Sequence, residues 1–149
     1  MGSNWTQSKY ISKFLTKANM STTNSITITA CSKQRLILKG TLFQNPTLYR
    51  SIVGGLQYLC MTHPNICFSV NQASQFMHSP TENHWVVVKR ILRNLRATPH
   101  HGLYLQCSPP FNINVYSDAN WGGNPEDQKS TKGFAIFGGH NLTTWSFKK

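Results

Sequence analysis

Acidic residues are nearly missing from this sequence. Its 149 residues hold 15 Lys or Arg against 4 Asp or Glu, a formal net charge of +11. The acids are Glu82, Asp118, Glu126 and Asp127, so the first 81 residues hold none, against seven Lys or Arg. That imbalance says nothing about fold, but it favours a polyanionic partner. Long hydrophobic runs are missing too. No stretch approaches the ~20 apolar residues that cross a bilayer. No apolar run follows the first basic residues, as a secretory signal requires. An intracellular chain, neither secreted nor in a membrane, is expected. The four cysteines at 31, 60, 67 and 107 lack C-x-x-C spacing, and no histidine sits at finger-like spacing from a pair of them. They read as buried or incidental thiols in a reducing compartment, with no role assigned. His100-His101 has no third ligand nearby and reads as polar loop. There are no internal repeats.

What is present suits a folded chain of about one domain, by the prior of ~150 residues each. Hydrophobic residues make up 39%, with 8 Phe, 5 Tyr and 4 Trp, which argues against disorder. Tyr10, Ile11, Phe14 and Leu15 give a short amphipathic helix, with Lys9, Lys13 and Lys17 on another face. Residues 19–34 read as a loop rich in Ser, Thr and Asn. Leu36, Ile37, Leu38 and Leu42 form an apolar island. Asn45-Pro46 opens a helix, on which Leu48, Ile52, Leu56 and Leu59 repeat at helical spacing. Thr62-His63-Pro64 breaks it, and Pro64 opens a second helix with Ile66, Val70 and Ala73 on one face. Ser79-Pro80-Thr81-Glu82 reads as a capping box with Ser79 as N-cap. The helix after it carries Trp85, Val88, Leu92 and Leu95 on its apolar side and Lys89, Arg90, Arg93 and Arg96 beside them.

Past Gly102 the period falls from 3.6 to 2. Leu103-Tyr104-Leu105 is a short strand. Phe111, Ile113 and Val115 alternate with polar neighbours, Phe134–Phe137 forms a second strand of a meander, and Leu142–Phe147 a third, after a Gly138–Asn141 turn. The expected fold class is α+β, helices first and then a three-stranded antiparallel meander. A linker-like boundary falls near residues 98–108. The unpaired sheet edge makes self-association plausible.

Several motifs in order then resemble a known family. Leu48–Leu59 is similar to YRSLVGALQYL, His63-Pro64-Asn65-Ile66 to RPDI, and Gln75–Thr81 to QFMxxPT. His84-Trp85 and Val88–Arg93 resemble HW and VKRILRYLKGT. Tyr116–Gly123 resembles YSDADWAG, while Lys129-Ser130-Thr131, Gly133-Phe134 and Trp145–Lys149 resemble RRSTSGY and SWSSKKQ. Together they resemble the copia-type LTR retrotransposon Pol polyprotein, over nearly the whole chain. The resemblance implies a slice of a reverse transcriptase. Residues 1–47 would be an N-terminal helix and linker at the end of the palm, 48–98 a helical thumb and connection, 99–110 a linker, and 111–149 a truncated ribonuclease H-like domain. The resemblance places the palm with its paired aspartates upstream, and no Asp precedes Asp118, so no polymerase chemistry is expected of these residues. Asp118 matches the first ribonuclease H carboxylate, a ligand for Mg2+ in the intact family. The remaining carboxylates would lie past Lys149, and one carboxylate cannot hold two metals. Asn120 and Asn65 stand where the family has Asp, His63 where it has Arg, and Gln128-Lys129 where it has an arginine pair, as in a decayed copy.

Three readings stay open. The first is a non-catalytic nucleic-acid-binding piece of the polyprotein, cytoplasmic or nuclear, that grips an RNA–DNA hybrid or duplex through its backbone. The second is a structural remnant without activity. The third is a ribonuclease H half-site that needs association with other polymerase segments. For binding, Arg50, Gly54 and Tyr58 fall at i, i+4, i+8 on one helical face. The resemblance places that face along a minor groove, with Gly54 admitting the backbone. Against this, Gly54 and Gly55 could serve helix packing and Tyr58 the core. Lys89, Arg90, Arg93 and Arg96 form a ridge for phosphates or an ordinary solvated face. Trp85 and Trp145 read as core.

Overall fold

The computed structural model describes residues 1–26, 40–107, 109, 111–120 and 130–148. The apolar island at 36–38, Cys31, Trp121, Glu126, Asp127 and Gln128-Lys129 lie outside them. Among the described residues the order is β1 (Gly2–Thr6), α1 (Ser8–Lys17), α2 (Pro46–Leu59), α3 (Pro64–Ser74), α4 (Glu82–Ala97), β2 (Gly102–Gln106), β3 (Ile113–Asn120), β4 (Thr131–Gly138) and β5 (Asn141–Lys148). The chain is α+β. It divides into two units, one of Thr6–His101 and one of Met1–Trp5 with Gly102–Lys149.

The helical unit is built on amphipathic spacing. α1 buries Ile11, Phe14 and Leu15, α2 buries Tyr49, Ile52, Val53, Leu56 and Leu59, and α3 buries Ile66, Val70 and Ala73. α4 closes the core with Val88, Ile91, Leu92 and Leu95. Tyr49, rather than Leu48, is the fully buried residue at the start of α2, because its hydroxyl donates to the Ala73 carbonyl at 2.8 Å. Burial pushes its phenol well above the usual range. Trp85 is half-buried, stacked on Phe43 at 4.8 Å between ring centroids.

α2 begins as the sequence reads, with the Asn45 side chain accepting from the Leu48 N–H at 3.0 Å and Pro46 at the first position. α4 does not. Its N-cap is Thr81, not Ser79, so Glu82 sits at the first position rather than the third. A short antiparallel bridge explains the shift. Phe43 N–H donates to the Pro80 carbonyl and Glu82 N–H to the Thr41 carbonyl, both at 2.9 Å. This pairing holds Pro80 and Thr81 extended, so helix cannot start before Glu82. His84 takes the third position and accepts from the Thr81 N–H at 3.0 Å. It fills the place that Glu or Gln usually has in a capping box.

In the other unit β1 pairs with β2, and β3, β4 and β5 form an antiparallel meander in that order. Residue 115 faces 136 across β3–β4, and 135 faces 145 across β4–β5. Gly139 at φ 60° supplies the left-handed residue of the β4–β5 turn, a conformation glycine adopts without penalty. The strand at residues 2–6 has no counterpart in the sequence pattern. It is short, polar and fully exposed, so it carries no alternation to detect.

Candidate nucleic-acid interface

α2 presents Arg50, Gly54 and Tyr58 on one exposed face. A Cβ placed on Gly54 meets nothing within 4 Å. One placed on Gly55 would run into the Phe14 ring. The two glycines therefore divide the work: Gly55 lets α1 dock on α2, and Gly54 packs against nothing. Tyr58 is 51% exposed and lies edge-on to Tyr10 of α1, with ring centroids 5.1 Å apart. Arg50 is steered by its own Nε–H, which donates to the Met77 carbonyl at 2.9 Å. Its other guanidinium donors point away from that bond by the planarity of the group.

The basic ridge of α4 is split in two. Arg93 Nε–H donates to the Asn24 carbonyl at 2.7 Å, and Arg96 donates to the Thr23 carbonyl. Between them the Asn94 side chain donates to the Ile26 carbonyl at 3.3 Å, and Ile26 N–H returns to the Arg93 carbonyl at 3.2 Å. Two of the four ridge residues thus strap residues 23–26 along α4. Lys89 and Arg90, a turn earlier, are half-buried.

Asp118 stands exposed on β3, in register with Gly133. Among the described residues no group of three His, Cys, Asp or Glu is placed to hold a metal ion. Asp118 is the one carboxylate among the described residues of its unit, and hard divalent ions need several carboxylate oxygens. Cys60, Cys67 and Cys107 are in no disulfide. Cys67 donates to the Cys60 carbonyl at 3.5 Å, and contact with the Cys67 side chain together with burial raises the Cys60 thiol far above its usual range. Such a thiol is a poor nucleophile and ligand. His63 is buried in the α2–α3 turn with Nδ1 2.9 Å from the Thr62 hydroxyl, and loss of solvent lowers its pKa.

Reading from sequence missed α1 as part of this surface. Lys9, Lys13 and Lys17 are all exposed, and Lys17 Nζ donates to the Ser51 hydroxyl of α2 at 2.8 Å. The signal was Tyr10, whose aromatic ring on an amphipathic helix suggested core. It remains at the surface instead, 36% exposed beside Tyr58.

Among known proteins, the chain is similar to the retrovirus-related Pol polyprotein from transposon RE1 of Arabidopsis thaliana, with 44% identity over 99% of this chain and 10% of that protein. The Pol polyprotein from transposon RE2 of the same plant is 40% identical over 99% of this chain and 10% of its own length. An uncharacterised mitochondrial protein of Arabidopsis thaliana is 35% identical over 96% of this chain and 60% of its own. The chain thus spans 10% of the length of the two polyproteins. No family model matches it, and no solved structure does. Among the described residues, no helix is long and apolar enough to cross a membrane.

Proposed function

The chain belongs to the retrovirus-related Pol polyproteins of copia-type transposons, and from that premise we propose that it is a non-catalytic segment of their reverse transcriptase–ribonuclease H region that binds nucleic acid without regard to sequence. In this reading residues 48–98 act as a thumb-like element and residues 111–149 are part of a ribonuclease H-like domain. The observation that carries the binding function is Gly54. A glycine in the middle of an exposed helix costs about 0.5–1 kcal/mol relative to alanine, and here no packing contact offsets it. Bare backbone between Arg50 and Tyr58 suits close approach by a sugar–phosphate chain. An RNA–DNA hybrid is the favoured partner, because an A-form minor groove is wide, shallow and read by shape. The attraction is electrostatic, since neutralising phosphates releases counterions.

Anisotropy of a labelled RNA–DNA hybrid, titrated at two salt concentrations, tests this. Tight binding at low salt that falls steeply at high salt is expected. An absence of binding at low salt, or binding indifferent to salt, overturns it. Asp118 contributes no catalysis alone in this reading. The hybrid should therefore stay intact when the chain is supplied with Mg2+ or Mn2+, and cleavage lost in Asp118→Asn would refute that.

A further inference from the structure

α1 and α2 lie side by side and antiparallel. Tyr10 meets Tyr58 at one end and Lys17 meets Ser51 at the other, so position increases along one helix as it falls along the other. Phe14 seated over Gly55 fixes the pairing between those contacts. Neither helix contains an acid. On α1, Lys9, Lys13 and Lys17 recur once per turn, roughly 6 Å apart along the axis. Like charges at i, i+4 destabilise a helix, and no carboxylate on α1 or α2 relieves them. A polyanion would. Lys17 gives one of its three donors to Ser51, which leaves two for another acceptor and holds the ammonium beside α2.

We propose that Lys9, Lys13 and Lys17 form a phosphate rail, which joins the Tyr10–Tyr58 pair and the bare backbone at Gly54 in one composite site for the sugar–phosphate backbone of an RNA–DNA hybrid. The proposal rests on the nucleic-acid reading above and places its main phosphate contacts on α1. The α4 ridge is the weaker candidate, because Arg93 and Arg96 already serve the carbonyls of Thr23 and Asn24. The edge-on arrangement of Tyr10 and Tyr58, at one end of the site, leaves both residues exposed, Tyr10 at 36% and Tyr58 at 51%. Those groups can pack on sugars and meet the 2′-hydroxyls of an RNA strand.

The test is the salt dependence of hybrid binding by the full chain and by Lys9→Gln/Lys13→Gln/Lys17→Gln. Each lost phosphate contact lowers the slope of log K against log salt by about 0.9 on a duplex. The triple variant should therefore lose about 2.7 from the slope. Between 50 and 200 mM salt its affinity should fall about 40-fold less than that of the native chain. Lys132→Gln, an exposed lysine on β4, reports the effect of removing one charge that is not part of the rail and should leave the slope unchanged. Circular dichroism verifies that each variant is folded. If the native chain binds and the triple variant keeps its slope, or loses no more per charge than Lys132→Gln, the rail is refuted while the nucleic-acid reading survives. If the native chain does not bind at low salt, both fail together.

Discussion

Adjacent glycines in α2 make opposite predictions. Gly54→Ala should raise stability by about 0.5–1 kcal/mol, the ordinary gain for filling an exposed helix position, while weakening hybrid binding. Gly55→Ala forces a methyl into the Phe14 ring and should cost about 1–3 kcal/mol, as overpacking does. Urea unfolding of both variants checks the signs. His63 adds a pH dependence. Burial holds its folded-state pKa below the ordinary 6.5, so the unfolded chain takes up the proton first as pH falls. Its share of stability is complete above about pH 6.5 and drains as pH drops below that value. Melting temperature should be flat from pH 8 to 7 and fall toward pH 5. A flat profile through pH 5 would exclude a neutral buried imidazole at this position.

At the scale of elements, α4 is set by tertiary contacts more than by its own start signal. His84→Ala removes a buried ring stacked on Phe76 at 3.9 Å and the acceptor for Thr81. A loss of about 2–4 kcal/mol is expected from the cavity and the orphaned N–H. Ser79→Ala, at an exposed position outside the helix, should change stability by no more than about 0.5 kcal/mol. A larger loss there would restore the cap that the local sequence suggests. At the other end of α4, Arg93 and Arg96 fasten residues 23–26. Arg96→Ala should speed amide exchange at Ile26, whose N–H bonds to the Arg93 carbonyl. Unchanged exchange would show that the strap does not depend on the guanidinium.

Across the whole molecule, the two units differ in how much they bury. Each helix of Thr6–His101 contributes fully buried apolar residues to one core. β3 is exposed along Ile113–Ala119, with Ile113 at 71% and Val115 at 64%. Few buried contacts mean a low free energy of local opening. Amides of β3 should therefore exchange much faster than those of α2, and equal protection would show that the meander is better covered than its surface implies.

Apart from β1, the order of elements was legible in the sequence, because periodicity depends only on which residues alternate. Helical spacing in Leu48–Leu59 and Val88–Leu95 and twofold spacing in Ile113–Val115 both survive in the fold. The family was legible too, through motifs spread along the chain, and so was the sign of the chain's charge, through acids that are missing. The tertiary structure decided what each position does. Only docking of α1 separates Gly55, which must be small, from Gly54, which is merely bare. Only the bridge between Thr41–Phe43 and Pro80–Glu82 moves the cap from Ser79 to Thr81. Only the path of residues 23–26 turns Arg93 and Arg96 from a free ridge into a strap, and only the antiparallel α1–α2 pair brings Lys17 to Ser51 and Tyr10 to Tyr58. Each of these contacts joins residues far apart in sequence, and no local pattern encodes such a pairing.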